Sequence, residues 1–242
     1  MEIEYCFRSD RGKVRSSNED SCVADAKNLV FLVADGMGGH VAGEVASQMA
    51  ALAVDEVMSS GASEGNAEAL LQLAVTAANR RVYEAQMLKP EYRGMGSTLT
   101  VVTFRQGRYY LAQVGDSRAY LLRNGDLIQL TRDHSLVWPL FERGIITKDE
   151  ISRHPQKNLI TRSVGTHPEV EADLRSGEVI PGDLFLLCSD GLTDILSDRE
   201  IRQILATESQ SIINLCDQLI DEANLRGSPD NVTVVLIRIT TD

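Results

Sequence analysis

The stretch LVFLVADGMGGH, residues 29–40, decides how the rest of the chain is read. Its first six residues form an apolar run long enough for a buried strand and too short for a helix of its own. The run stops at Asp35, so the strand carries a carboxylate to the rim of the core, where its direction is fixed and a ligand still has access. Gly36, Gly38 and Gly39 follow, and a backbone without Cβ atoms can turn there and approach a partner closely. A single Asp-Gly after a strand is ordinarily just a turn. Here the pattern recurs. Residues 109–114 lead to Gly115-Asp116-Ser117, residues 184–189 lead to Asp190-Gly191, and Asp230-Asn231 opens the run 232–239. Four acids gathered at strand ends repel one another unless a cation sits among them, so the pattern predicts a metal site.

The composition agrees. At 242 residues, 43% of them hydrophobic, the chain is sized for one domain with a large core. A net charge of −11 argues against a nucleic-acid surface, yet suits a site that brings its own cations to a phosphorylated substrate. No segment has the length and apolarity of a membrane span, and the opening MEIEYCFRSD is unlike a signal peptide, so the expected location is the cytoplasm. Cys6, Cys22, Cys188 and Cys216 lack CxxC spacing and read as reduced thiols. The histidines His40, His134, His154 and His167 show no zinc-ligand spacing. A site built of carboxylate oxygens favours Mg²⁺ or Mn²⁺.

Along the chain, residues 3–7 predict an edge strand, followed by a polar stretch holding Arg15, Asn18, Glu19 and Asp20. A short hairpin then leads into the 29–34 strand, which sets these acids beside Asp35. Residues 44–58 and 67–87 carry small and apolar side chains at helical spacing and predict a helical hairpin broken at 61–65. From 97 to 129 the period changes to that of strands, with Gln106-Gly107 and Asn124-Gly125 as hairpin turns, and the short connections predict one antiparallel meander. Residues 136–165 lose regularity, apart from a capping box at Thr147–Glu150, and predict a flap over the site. Ser197 and Glu200 cap another helix, and 212–225 is amphipathic. Two helix pairs outside two antiparallel sheets make a four-layer α-β-β-α sandwich of the α+β class, with the strand-end acids at one end.

These motifs carry a family resemblance. RSSNED at 15–20, VADGMGGH at 33–40, GSTL at 96–99, VGDSRAYL at 114–121, LTRDHS at 130–135, CSDGLTDIL at 188–196 and SPDNVTVV at 228–235 resemble the type 2C metal-dependent serine/threonine protein phosphatases, in their bacterial form. The resemblance spans nearly the whole chain, and it implies the same α-β-β-α sandwich. It also implies two to three divalent ions, Mn²⁺ or Mg²⁺. Asp35 would bridge two of them, with the Gly36 carbonyl, Asp190 and Asp230 as further ligands. Asp116 would join Asp190 at a third, weaker site. Glu19, Asp20 and Asp194 would hold metal-bound waters, and Arg15 would bind the phosphate. The implied reaction is hydrolysis of phosphoserine or phosphothreonine by a water or hydroxide shared between two metals, with no covalent phosphoenzyme.

One position departs from the family pattern. Many eukaryotic members have a histidine where this chain has Met37, and His40, three residues on, is a candidate substitute as proton donor to the leaving group. Other phosphate and acid chemistries do not fit. A nucleophilic-aspartate phosphatase needs a second Asp where Met37 stands, an aspartic protease needs Asp-Thr/Ser-Gly loops, and no P-loop is present. The remaining alternative is an inactive member of the same fold that binds phosphoproteins as a scaffold. The expected partners are phosphorylated proteins, a cognate kinase foremost, with a type VI secretion pathway as one setting. Neither nucleic acid nor membrane is an expected partner, and the chain is expected to act as a monomer.

Overall fold

Alternation along the apolar strands decides the layering. The computed structural model describes residues 2–38, 41–60, 66–207 and 210–240. It begins with β1 (Glu2–Asp10), β2 (Asp20–Asp25), β3 (Val30–Met37), α1 (Val41–Ser60) and α2 (Ala67–Leu88). Then come β4 (Gly96–Ser97), β5 (Leu99–Arg105), β6 (Arg108–Val114), β7 (Arg118–Arg123), β8 (Asp126–Gln129), α3 (Trp138–Glu142) and α4 (Lys148–Ile151). The chain closes with β9 (Asp173–Glu178), β10 (Leu184–Cys188), α5 (Asp190–Thr193), α6 (Asp198–Leu205), α7 (Ile212–Leu225) and β11 (Val232–Thr240).

In β3, Phe31 and Val33 join one apolar cluster while Val30, Leu32 and Ala34 join another. In β11, Val235 and Ile237 split from Val234 and Leu236 in the same way. Strands buried on both faces need a layer on each side, which is the sandwich expected. One antiparallel sheet has the order β1-β11-β10-β7-β8, and the other β2-β3-β5-β6-β9 with β4 on β3. Between them Phe31, Phe104, Phe185 and Tyr109 form an edge-to-face chain, with successive centroids 6.0, 5.2 and 5.3 Å apart. Each such pair contributes about 0.5–1.5 kcal/mol beyond area burial. Helices α1 and α2 cover the second sheet with small residues, Ala46, Ala50, Ala74 and Ala78, which let the layers come close. Helices α6 and α7 cover the first.

Several local expectations are corrected. Residues 97–129 are not one meander: β5 and β6 pair in one sheet, β7 and β8 in the other, and the chain crosses between sheets at Gly115-Asp116-Ser117. Gly115 makes the crossing at φ +105°, with a Cβ position only 2.7 Å from Thr98, so the turn belongs to glycine. β3 starts one residue later than expected, because Leu29 sits in the preceding turn at φ +55°, and it runs on through Asp35 because β4 pairs with Gly36 and Met37. Residues 136–165, the expected flap, hold two short helices, α3 around the buried Trp138 as well as the capped α4. The edge strand β9, DLRSGE, is too polar to stand out from loop sequence. The Thr147/Glu150 and Ser197/Glu200 capping boxes both form. The expected break at 61–65 lies outside the described residues.

Candidate metal centre

The register of two strands creates the central problem of this site. β2 and β3 pair so that Asp20 stands directly opposite Asp35, and Gly36 N donates to Glu19 O at 3.1 Å. Like charges facing each other across a ladder are destabilising. Asp35 is held there firmly. Its N–H donates to Thr98 Oγ1 at 2.8 Å and its carbonyl accepts from Thr98 N at 2.8 Å, which is the part played by the GSTL motif. At Gly36 a Cβ would lie 2.0 Å from Gly43 O and 2.7 Å from Glu19 O, so any side chain would push the start of α1 away from the strand.

The other sheet brings the remaining acids to the same end. Asp190 opens α5 directly after β10, and its neighbour Ser189 donates through Oγ to Asp20 Oδ2 at 2.7 Å, tying the sheets together. Asp230 receives Arg15 Nη2 at 2.7 Å and Asn231 N at 2.8 Å, so the phosphate-binding candidate rests on an acid. Asp116 sits buried on the crossing turn. Asp194 pairs with Lys157 of the flap at 2.6 Å. Lys148, Arg153 and Lys157 line a cleft of about 560 Å³ together with Asp116, Asp190 and Asp194. His40 and Gly39 lie outside the described residues.

The electrostatics follow from this crowding. Burial, and then the charges of Asp20, Asp190, Asp116 and Asp230, hold the Asp35 carboxyl well above the usual carboxylate range. Asp190 is raised in the same direction by burial and by Asp116, Asp194, Asp230 and Asp20. Burial pushes Asp116 up to about 7, with Asp133 adding to it, and Asp20 up to about 6 against the hydrogen bonds of Thr233 and Ser189. Asp20 Oδ1 is a buried oxygen with no hydrogen-bond partner among the described residues. An orphaned oxygen amid mutually raised carboxylates fits a divalent cation, since the donors are all hard oxygens. Among the described residues no three His, Cys, Asp or Glu side chains are gathered closely enough to hold an ion alone. The acids line a space, which suits ions that keep several waters and take few protein ligands.

One residue with a structural role here went unassigned from sequence. Asn231 accepts from Glu19 N through Oδ1 at 2.8 Å and donates through Nδ2 to Arg11 O and Ser17 O at 2.9 Å each. It clamps the loop that carries Arg15 and Glu19. Its adjacency to Asp230 in the SPDNV stretch was the available signal.

Comparison with known proteins accords with this geometry. The family model described as protein phosphatase 2C matches residues 11–224. The serine/threonine protein phosphatase PstP of Mycobacterium tuberculosis is 44% identical over 234 residues, covering 97% of this chain and 44% of that protein. The chain therefore spans less than half of PstP. The serine/threonine phosphatase stp of Listeria monocytogenes is 38% identical over 237 residues, covering 96% of this chain and 94% of its own length. Among solved structures, the PstP catalytic domain in complex with two manganese ions superposes with a TM-score of 0.90 at 41% identity, covering 99% of each chain. PppA, described as a key regulatory component of the type VI secretion system in Pseudomonas aeruginosa, superposes at 0.86 with 34% identity, over 98% of this chain and 97% of its own.

Proposed function

The chain belongs to the protein phosphatase 2C family, and from that premise we propose that it hydrolyses phosphoserine and phosphothreonine in proteins with the help of divalent metal ions. One observation carries the reading: Asp20 faces Asp35 across β2 and β3 while Asp116, Asp190 and Asp230 reach the same end, and burial together with these charges holds the Asp35 and Asp190 carboxyls well above the usual carboxylate range. In this reading Asp35, the Gly36 carbonyl, Asp190 and Asp230 would hold two ions. Asp116 and Asp190 would hold a third, and Glu19, Asp20 and Asp194 would act through waters. Mn²⁺ or Mg²⁺ bound there supplies an activated water at neutral pH and neutralises charge on the phosphoryl oxygens.

The chain's own groups do the rest. Arg15 is exposed and held by a single ion pair to Asp230, so it can exchange that carboxylate for a phosphoryl group of the same hydrogen-bonding geometry. Met37 has no proton to give the leaving alkoxide, so in this reading that proton comes from water, with His40 as the alternative donor. Among the described residues no helix is long and apolar enough to cross a membrane, and we place the activity in the cytoplasm. The chain works as a single copy on phosphoproteins, first of all a kinase of the same cell and that kinase's targets. The likeness to PppA adds a type VI secretion pathway as one setting. The flap facing Asp194 contributes to the choice of protein substrate.

Phosphate release from a phosphothreonine peptide, with EDTA, Mg²⁺ or Mn²⁺ present, tests the reading directly. Wild type is expected to need the metal, and Asp190→Asn to lose activity in every metal. Absence of turnover with tight phosphopeptide binding retained would replace the enzyme by a binding scaffold. A second expectation concerns Arg15. Arg15→Lys keeps the charge but not the planar fork, so KM for the phosphopeptide should rise about tenfold with kcat changed less. An unchanged KM would remove Arg15 from the phosphate site.

A further inference from the structure

The LTRDHS stretch, residues 130–135, has no part in the metal assignments, yet its histidine occupies a singular place. His134 follows β8, is buried, and holds Gly115 at both its N–H and its carbonyl. Its main-chain N–H donates to Gly115 O at 2.9 Å, and Gly115 N donates to the ring Nδ1 at 3.1 Å. Gly115 is the residue at φ +105° where the chain crosses between sheets, and the next residue is Asp116. On its other side His134 holds the end of the flap. Thr161 N donates to His134 O at 2.7 Å, while Nε2 lies 3.2 Å from Asp173 Oδ2 and 3.1 Å from Arg162 Nη1.

This pattern selects one form of the ring. Nδ1 accepts from a backbone N–H, so the proton sits on Nε2 and is donated to Asp173. Burial, with Arg162 and Arg132 adding positive charge and Asp173 opposing them, keeps the imidazole below its ordinary range and therefore neutral. The other supports of the turn come from the second sheet alone: Gln113 Nε2 donates to Gly115 O at 3.0 Å, and Thr98 and Thr100 hold Ser117. His134 alone among these joins the turn to the flap.

We propose that His134 is a positioning residue, whose Nδ1 and main-chain N–H fix the two peptides flanking Gly115 so that the Asp116 carboxylate faces Asp190, and whose carbonyl couples that turn to the base of the flap. The proposal rests on the reading of Asp116 and Asp190 as acids of a third cation site. It requires an acceptor at Nδ1 and not merely a ring of the right size.

Two substitutions separate these requirements. In His134→Asn the amide Oδ1 stands where Nδ1 stands, so the Gly115 N–H keeps its acceptor. In His134→Leu the N–H is left buried and unpaired. Mn²⁺ binding followed by electron paramagnetic resonance should show the weakest site loosened at least about tenfold in His134→Leu and within about twofold of wild type in His134→Asn, with the tighter sites unchanged. Amide exchange of Gly115 and Asp116 in EDTA should speed up in the leucine variant only. Should His134→Leu not fold, His134→Gln supplies the same contrast, since its longer amide reaches toward the Nε2 position and leaves Gly115 without a partner. Equal effects of asparagine and leucine, or losses spread evenly over all Mn²⁺ sites in step with thermal stability, would reduce His134 to a packing residue. If wild type binds no Mn²⁺ at all, the metal reading falls by itself, and the exchange rates at Gly115 and Asp116 still decide whether His134 holds the turn.

Discussion

Asp35→Asn is expected to lower metal-dependent phosphate release by about a thousandfold or more while making the metal-free protein more stable. The two halves have one cause. Asp35 faces Asp20 across the ladder and lies within the field of Asp190, Asp116 and Asp230, so its charge is unfavourable until a cation arrives. Asparagine keeps the shape and removes that charge, which should stabilise the protein in EDTA by about 1–3 kcal/mol. The gain should be larger at pH 8 than at pH 5, because at low pH the wild-type carboxyl is already neutral. With metal present the same exchange removes a carboxylate that, on the proposed reading, would hold the ions, and a loss of about 4 kcal/mol in the transition state corresponds to that thousandfold. Urea denaturation in EDTA and phosphate release in Mn²⁺ measure the two effects. A variant less stable than wild type in EDTA would show that Asp35 makes a favourable contact, and activity within tenfold of wild type would remove it from the metal reading.

The stability of the metal-free protein should fall as pH rises from about 4 to 8, and Mn²⁺ should cancel that fall. An acid raised in the folded state holds a proton there that the unfolded chain has released above about pH 4, so folding takes up protons and rising pH opposes it. Asp20, raised to about 6, and Asp116, raised to about 7, set the window, while Asp35 and Asp190, raised by burial and by their acidic neighbours, act in the same direction. Each such group contributes a slope of about 1.4 kcal/mol per pH unit between its unfolded and folded values, and neighbours sharing protons bring the total to a few kcal/mol. Ions that bind deprotonated acids reverse the trend, since their affinity grows with pH, and one site at a hundredfold excess over its Kd adds about 2.7 kcal/mol. Denaturation midpoints at pH 5, 6.5 and 8, with EDTA and with Mn²⁺, check this. A midpoint independent of pH in EDTA would mean that the acids do not crowd one another in solution.

Much of this architecture was legible before the structure. The runs at 109–114, 118–123, 126–129 and 212–225 appear as elements with bounds at or within a residue of those expected, because each is long, apolar or capped and ends in a specific turn. The helix from Ala67 and the two capping boxes follow from local hydrogen bonding that needs no tertiary partner. β9 was illegible for the converse reason. Its side chains are polar because it is an edge strand, and only pairing with Arg108–Val114 makes DLRSGE a strand. The α3 turn around Trp138 likewise depends on burial against Phe141 and the buried Ile151, not on any periodicity.

By itself the sequence determined which chemistry was at hand: four acids at the ends of apolar runs, an arginine and two further acids shortly before the first of them, and glycines where the backbone must come close. Those are properties of residue type and spacing, and they survive any arrangement of the strands. Only the tertiary structure decided that the chain leaves one sheet for the other at Gly115, which carries Asp116 toward Asp35 of β3 and Asp190 of α5. It also decided that Asp20 stands opposite Asp35 and that Ser189 reaches across to Asp20. The register of a ladder and the stacking of two sheets are set by contacts between residues far apart in sequence, so the crowding that calls for a cation becomes visible only when the layers meet.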